Sequence, residues 1–240
     1  MSVSAQAVPR GRTLMEAILP TTNLSKETAF LRDVVLVVGF SFLTALVAQI
    51  AFRIPTTTVP ITGQTFGALL TGAALGRKRG ALSMLLYMAM GMFWLPVFAP
   101  SAKAMGGATA HVVLPWAGSK GFIWDMSSGG YIVGFVLAAY LVGWLAEKGM
   151  DRRGSVAFVM ALGNIVIYAV GLVWLAAFIA SDTIVPGTDK TYYQVISGAN
   201  VLDKTLRGGL YPFIGGDAIK LVLASMALPS AWALVNRWKK

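Results

Sequence analysis

Residues 211–235 read YPFIGGDAIKLVLASMALPSAWALV, a run apolar enough to cross a bilayer yet carrying Asp217 and Lys220 near its start. A membrane-crossing helix needs about 20 mostly apolar residues. Side chains three positions apart share a helix face, so this acid and this base point the same way. An ionisable side chain in hydrocarbon costs about 2.5–3.5 kcal/mol on insertion scales, so it normally faces the protein interior and marks a site. Two readings fit the pair. It is a structural ion pair beside a helix start at Gly215-Gly216, or it is a pocket offering one carboxylate acceptor and one ammonium donor to a polar ligand.

The rest of the chain has the same character. Hydrophobic residues make up 56% of the 240 and charged residues 12%, against about 25% charged in soluble domains. With a mean hydropathy of +0.69, the composition is that of a polytopic membrane protein. The formal charge of +10 is no nucleic-acid signal, because the basic residues fall in short clusters between apolar segments, the pattern that sets membrane orientation. There is no cysteine, which excludes disulfides and thiol chemistry. Residues 1–33 are polar and mixed in charge, without the apolar core and cleavage site of a secretory signal. They read as a retained cytoplasmic tail with a short helix along TLMEAIL or KETAFLRD, ahead of a membrane domain at 34–240.

Apolar runs predict six crossings: Val34–Phe52, Ile61–Leu75, Ala81–Phe98, Gly130–Ala146, Val156–Ile179 and the run at 211–235. This is an all-α bundle whose termini share one side. Sorted by side, thirteen Lys and Arg collect with the termini and six opposite, with Lys220 left inside a span. The positive-inside rule then places both termini in the cytoplasm and the long connections, Ala99–Gly129 and Ser181–Gly209, outside. Long ordered connections are usually lids or binding loops. Gln64, Tyr131 and the Asp217–Lys220 pair all fall near the outer ends of their helices, so the polar groups converge at one outward-facing level. Asn164 and Tyr168 lie one turn apart in the fifth crossing, where interhelical packing and ligand contact explain them equally well. In the first crossing, small residues recur at four-residue spacing, Ser41/Ala45 and Thr44/Ala48. Such spacing lets helices approach closely, either within the bundle or against a partner subunit.

Catalytic chemistry finds no support. His111 is the single histidine and no acidic cluster accompanies it for a metal; no Ser-His-Asp arrangement can be built, and the phosphate-binding pattern GxxxxGK[ST] is absent. The chain is read as a non-enzyme that binds no cofactor. If ATP is used, another chain supplies the engine.

Three regions carry a family resemblance: AQIAFRIPTTTVPITGQTFGALLTGAALGRKRGALSMLLYMAMGMFWLPVFA, then SGGYIVGFVLAAYLVGWLAE, then GNIVIYAVGLVWLA together with PFIGGDAIKLVLA. Over about Ala45 to Ala224 the chain resembles BioY, the biotin-specific membrane subunit (S component) of energy-coupling factor (ECF) vitamin transporters; VPITGQT and the GD-x-x-K opening of the last crossing are the specific motifs. The resemblance implies a six-helix membrane bundle that holds one biotin near its outer face and works with a transmembrane coupling protein and a pair of ABC-type ATPases in the bacterial cytoplasmic membrane. Asp217 and Lys220 would then meet the ureido ring together, with Tyr131, Tyr168 and Trp174 as aromatic walls and Asn164 and Gln64 close by. The valerate carboxylate would face Lys120 or the hydroxyls of Thr62 and Ser128. Ser41, Thr44, Ala45 and Ala48 would be the docking stripe, although the family's AxxxA pattern is not reproduced there. The alternative is a stand-alone facilitator or proton-coupled carrier for another small carboxylate.

Overall fold

A computed structural model describes residues 12–55, 57–101, 105, 108–152 and 154–238; of the basic residues used above, Arg10, Lys103, Arg153, Lys239 and Lys240 lie outside these. The chain runs through α1 (Leu14–Ile18), α2 (Lys26–Ala48), β1 (Ala51–Phe52), β2 (Ile61–Thr62), α3 (Gln64–Leu75), α4 (Arg77–Ala89), β3 (Ala110–His111), α5 (Gly129–Glu147), α6 (Val156–Ala180), α7 (Tyr192–Val195), α8 (Val201–Gly209) and α9 (Tyr211–Trp238). Among the described residues four stretches are long and apolar enough to cross a membrane: α2, α5, α6 and the run α8–α9. The second and third expected crossings are shorter. α3 has 12 residues, about 18 Å of helix against a hydrocarbon core of about 30 Å. α4 follows after one residue, Gly76, whose φ of +83° turns the chain back.

The described part of the expected tail, residues 12–33, packs with the bundle. Its boundary at residue 33 falls inside α2, which starts at Lys26 with a Ser25 cap. α1 carries a capping box of Thr13 and Glu16 and buries Leu14 and Ala17 against α3 and α9. The basic end of the molecule is laced by ion pairs. The three bases Arg77-Lys78-Arg79 begin α4, where the helix dipole disfavours positive charge. Glu147 at the end of α5 offsets this by accepting from the Arg77 amide at 3.0 Å, and Arg79 pairs with Glu16 and with Asp33. In the loop between α5 and α6, Asp151 is fully buried and accepts from the Trp232 indole at 2.6 Å, while the Arg152 guanidinium lies 4.0 Å above that ring.

α5 is the centre of the bundle, touching α3, α4 and α6. In lipid, apolar side chains gain little by hiding from solvent, so close packing between backbones carries association. Gly72 of α3 shows this: a Cβ there would sit 2.5 Å from the Ala139 carbonyl oxygen of α5. The Ser41, Thr44, Ala45 and Ala48 stripe is spent in the same way. All four are 0% exposed; Ser41 Oγ donates to the Ser83 carbonyl at 2.8 Å, and Thr44 faces Met84. α2 turns this stripe inward onto α4 and presents Val35, Val38, Phe42 and Leu46 outward.

At the other end, short strands tie described parts of the connections together. β1 pairs antiparallel with β2 (Ala51↔Thr62, Phe52↔Ile61) and with β3 (Ala51↔His111, Phe52↔Ala110). The His111 ring nitrogens lie 2.7 Å from the Gln49 carbonyl oxygen and 2.9 Å from that of Pro115. The one histidine is thus a clamp on the loop.

Candidate functional site

α9 starts at Tyr211, with Pro212 in its first turn, so Gly215 and Gly216 lie inside the helix rather than at its beginning. Directly after them, Asp217 is 6% exposed. Its two carboxylate oxygens have different partners. Oδ1 accepts from Lys220 Nζ at 3.1 Å, and Oδ2 accepts from the Tyr168 hydroxyl of α6. Lys220 Nζ also donates to Thr65 Oγ1 of α3 at 2.7 Å. An ammonium has three N–H groups, and the third is left for the space beside it. That space is a cavity of about 10 Å³, walled by Phe66, Leu69, Met160 and Leu221, with Asn164 and Lys220 as its polar members. It is the size of one water molecule. Asn164 is 8% exposed and its Oδ1 has no hydrogen-bond partner. The cavity therefore presents one donor, on Lys220, and one acceptor, on Asn164.

Aromatic rings complete the wall. Tyr131 meets Tyr168 edge-on at 6.2 Å, and Phe213 lies 6.4 and 6.5 Å from these two rings. The Tyr131 hydroxyl is held by the Gly209 carbonyl at 2.9 Å. Asp217, Lys220, Asn164, Tyr168 and Tyr131 thus come together across α5, α6 and α9.

The remaining expected residues lie elsewhere. Gln64 and Thr62 form a second network: Thr62 Oγ1 donates to Gln64 Oε1 at 2.8 Å, Gln64 Nε2 donates to the Tyr87 hydroxyl at 2.6 Å, and Tyr87 donates to the Val97 carbonyl at 3.0 Å. Trp174 donates to the Met126 carbonyl at 3.0 Å and borders a groove of about 490 Å³ with Val170, Val173 and Phe178. That groove is on the flank where Val173 is 72% exposed, away from the charged pair. Ser128 starts α5 through its carbonyl, which accepts from Tyr131 and Ile132, and Lys120 is exposed. Two contributors were missed. Thr65 belongs to the VPITGQT motif and adjoins Gln64, so its signal was present. Phe213, four residues before Asp217, has the helical spacing that puts it on the same face.

Four stretches long and apolar enough to cross a membrane among the described residues, enclosing a buried acid–base pair, define the class: a polytopic helical membrane protein. The chain belongs to the BioY family, whose model matches residues 20–237. It is 36% identical over 194 residues to the probable biotin transporter BioY of Pyrococcus horikoshii, covering 80% of this chain and 91% of that one. Identity to the biotin transporter BioY of Thermotoga maritima is 33% over 187 residues, 76% of this chain and 87% of the relative. The crystal structure of the S component for biotin from an ECF-type ABC transporter superposes with a TM-score of 0.61 at 19% identity, covering 90% of this chain and 94% of that one. At that identity the superposition establishes the fold.

Proposed function

We infer that this chain is the biotin-binding membrane subunit (S component) of an ECF-type transporter and captures biotin between α3, α6 and α9. The observation that carries the site is the pairing of Lys220 with Asn164 around one cavity. A cyclic urea presents a carbonyl acceptor beside N–H donors. The free Lys220 N–H suits the carbonyl, and Asn164 Oδ1 suits an adjacent N–H. Hydrogen bonds to a charged partner contribute about 1.5–3 kcal/mol each. Asp217 serves this pair by fixing the charge and direction of Lys220. The thioether ring and valeryl chain are apolar and match Phe66, Tyr168 and Phe213. Because the cavity holds only a water-sized volume, entry of the bicycle requires α9 to draw away from α3 and α6. α9 is suited to this, since Phe213, Asp217, Ala224, Leu228, Trp232 and Val235 are its buried residues along 28 positions.

The orientation that fits the charge distribution puts the basic end, with both termini, in the cytoplasm and the β-paired connections outside, in the bacterial cytoplasmic membrane. On this reading α3 and α4 complete the six-helix bundle as its two short members. A coupling protein and ABC-type ATPases supply the ATP-driven step, and this chain binds no cofactor of its own. Equilibrium binding of labelled biotin to membranes holding this chain alone tests the proposal. Saturable binding competed by unlabelled biotin is expected; its absence refutes the reading. Uptake into vesicles without any ATPase, together with indifference to biotin, would favour the carrier for another carboxylate.

A further inference from the structure

The end of α4 does not stop cleanly. It passes into a wide turn, Met90–Trp94, closed by the Leu95 amide on the Met90 carbonyl at 2.7 Å. Such π turns are rare and frequently mark functional positions. The extra residue keeps Met90 and Gly91 inside, where the Phe98 ring packs so closely on Gly91 that a Cβ there would meet it at 2.2 Å. It also throws Phe93 and Trp94 outward, 57% and 63% exposed. The Gly121 amide, thirty residues on, donates to the Gly91 carbonyl at 3.0 Å. That bond brings Phe122 edge-on to Phe93 at 5.9 Å, and Phe122 stacks on Trp124 at 4.8 Å and 7°. Four rings from two distant segments make one surface, and Phe122 and Trp124 are themselves 40% and 55% exposed.

We propose that Phe93, Trp94, Phe122 and Trp124 form an anchor that seats the 119–126 part of the 99–129 connection in the interfacial layer of the bilayer. Contiguous exposed apolar surface of this kind marks an interaction site. The bilayer is the occupant because the patch continues a membrane-facing surface: Leu82 and Leu85 are exposed two to three turns earlier on the same helix. Its composition is that of the aromatic belt, where tryptophan sits at headgroup level. Among the described residues of these two segments, charge appears at exposed Lys120 and Asp125, which flank the rings in sequence. The 119–126 part of this connection is therefore tied to the leaflet it lies against rather than moving freely in water, and Lys120 is placed to meet lipid phosphate.

The chain lacks cysteine, so single-cysteine spin labelling reads this directly in reconstituted bilayers. Labels at Trp94→Cys and Trp124→Cys are expected to be relaxed by oxygen in preference to a water-soluble nickel chelate, several-fold more so than a label at Asp189→Cys in the exposed 181–209 connection. Chelate access equal to that at position 189 would overturn the proposal, as would shielding from both reagents, which marks a protein–protein face. Since replacing a ring can loosen the loop, the native chain supplies a second measurement. Lipids brominated high on the acyl chain are expected to quench its tryptophan fluorescence, and a Trp94→Phe/Trp124→Phe variant is expected to lose part of that quenching. Unchanged quenching in the variant overturns the anchor.

Discussion

Lys220 in the first half of α9 donates a 2.7 Å hydrogen bond to Thr65 in the first turn of α3, joining the last helix to α3 through one ammonium. With Asp217 as its other partner, the lysine is held from two helices, and its remaining N–H is directed rather than free to rotate. The site's geometry depends on that double tether.

Removing the tether from the α3 side gives the first prediction. Thr65→Val keeps the shape and loses the acceptor. Biotin affinity is expected to fall about tenfold or more, in line with the 1.5–3 kcal/mol typical of a hydrogen bond to a charged group. Thr65→Ser restores the acceptor and is expected to retain near-native affinity. Calorimetric titration decides it; equal losses in both variants would mean that Thr65 acts through packing alone.

Breaking the ion pair is more severe. Asp217→Asn leaves a largely buried ammonium (17% exposed) without its counter-charge, a change that costs about 3–5 kcal/mol in buried pairs. Thermal unfolding and biotin binding should both suffer. The double variant Asp217→Asn/Lys220→Met removes both charges, so it should recover thermal stability while remaining unable to bind. Binding by the double variant would refute the assigned site.

Two glycines separate packing from helix propensity. Gly72→Ala drives a methyl group into the Ala139 backbone, with contacts of 2.5 and 2.8 Å, and overpacking of this kind typically costs about 1–3 kcal/mol. Gly39→Ala on α2 meets nothing within 4 Å and should be neutral or stabilising by up to about 1 kcal/mol. Melting temperatures of the two variants should move in opposite directions or differ clearly.

The buried acid in the α5–α6 loop predicts a pH effect. Burial raises the Asp151 carboxyl above its ordinary value of 3.8, despite the Trp232 hydrogen bond and Arg152. The folded state then holds this proton more tightly than the unfolded state, so its contribution to stability is greatest below about 3.8 and declines as pH rises towards the raised value. Asp151→Asn keeps an acceptor for Trp232 and cannot ionise. Denaturation followed across acid to neutral pH should show a flatter profile for the variant and higher stability at the neutral end. An unchanged slope would show that Asp151 titrates normally.

The membrane class, the main crossings and the acid–base pair were legible in the sequence because each rests on local information: a long apolar run, its basic flanks, and a three-residue spacing that any helix converts into a shared face. The family motifs spoke for themselves on the same grounds. What the tertiary structure decided was everything that depends on which faces meet. The Ser41–Ala48 stripe has a spacing that serves internal packing and partner docking alike; its contacts with Ser83 and Met84 are visible only in the packed chain, because no spacing rule distinguishes inner from outer contact. The hydrogen bond from the Gln64 amide to Tyr87, more than twenty residues away, is likewise invisible to local spacing. Thr65 and Asn164 acquire their places only because α3, α6 and α9 converge on one ammonium. A hydrogen bond needs its partners within about 3 Å, and for residues 155 positions apart only the packed chain provides that distance.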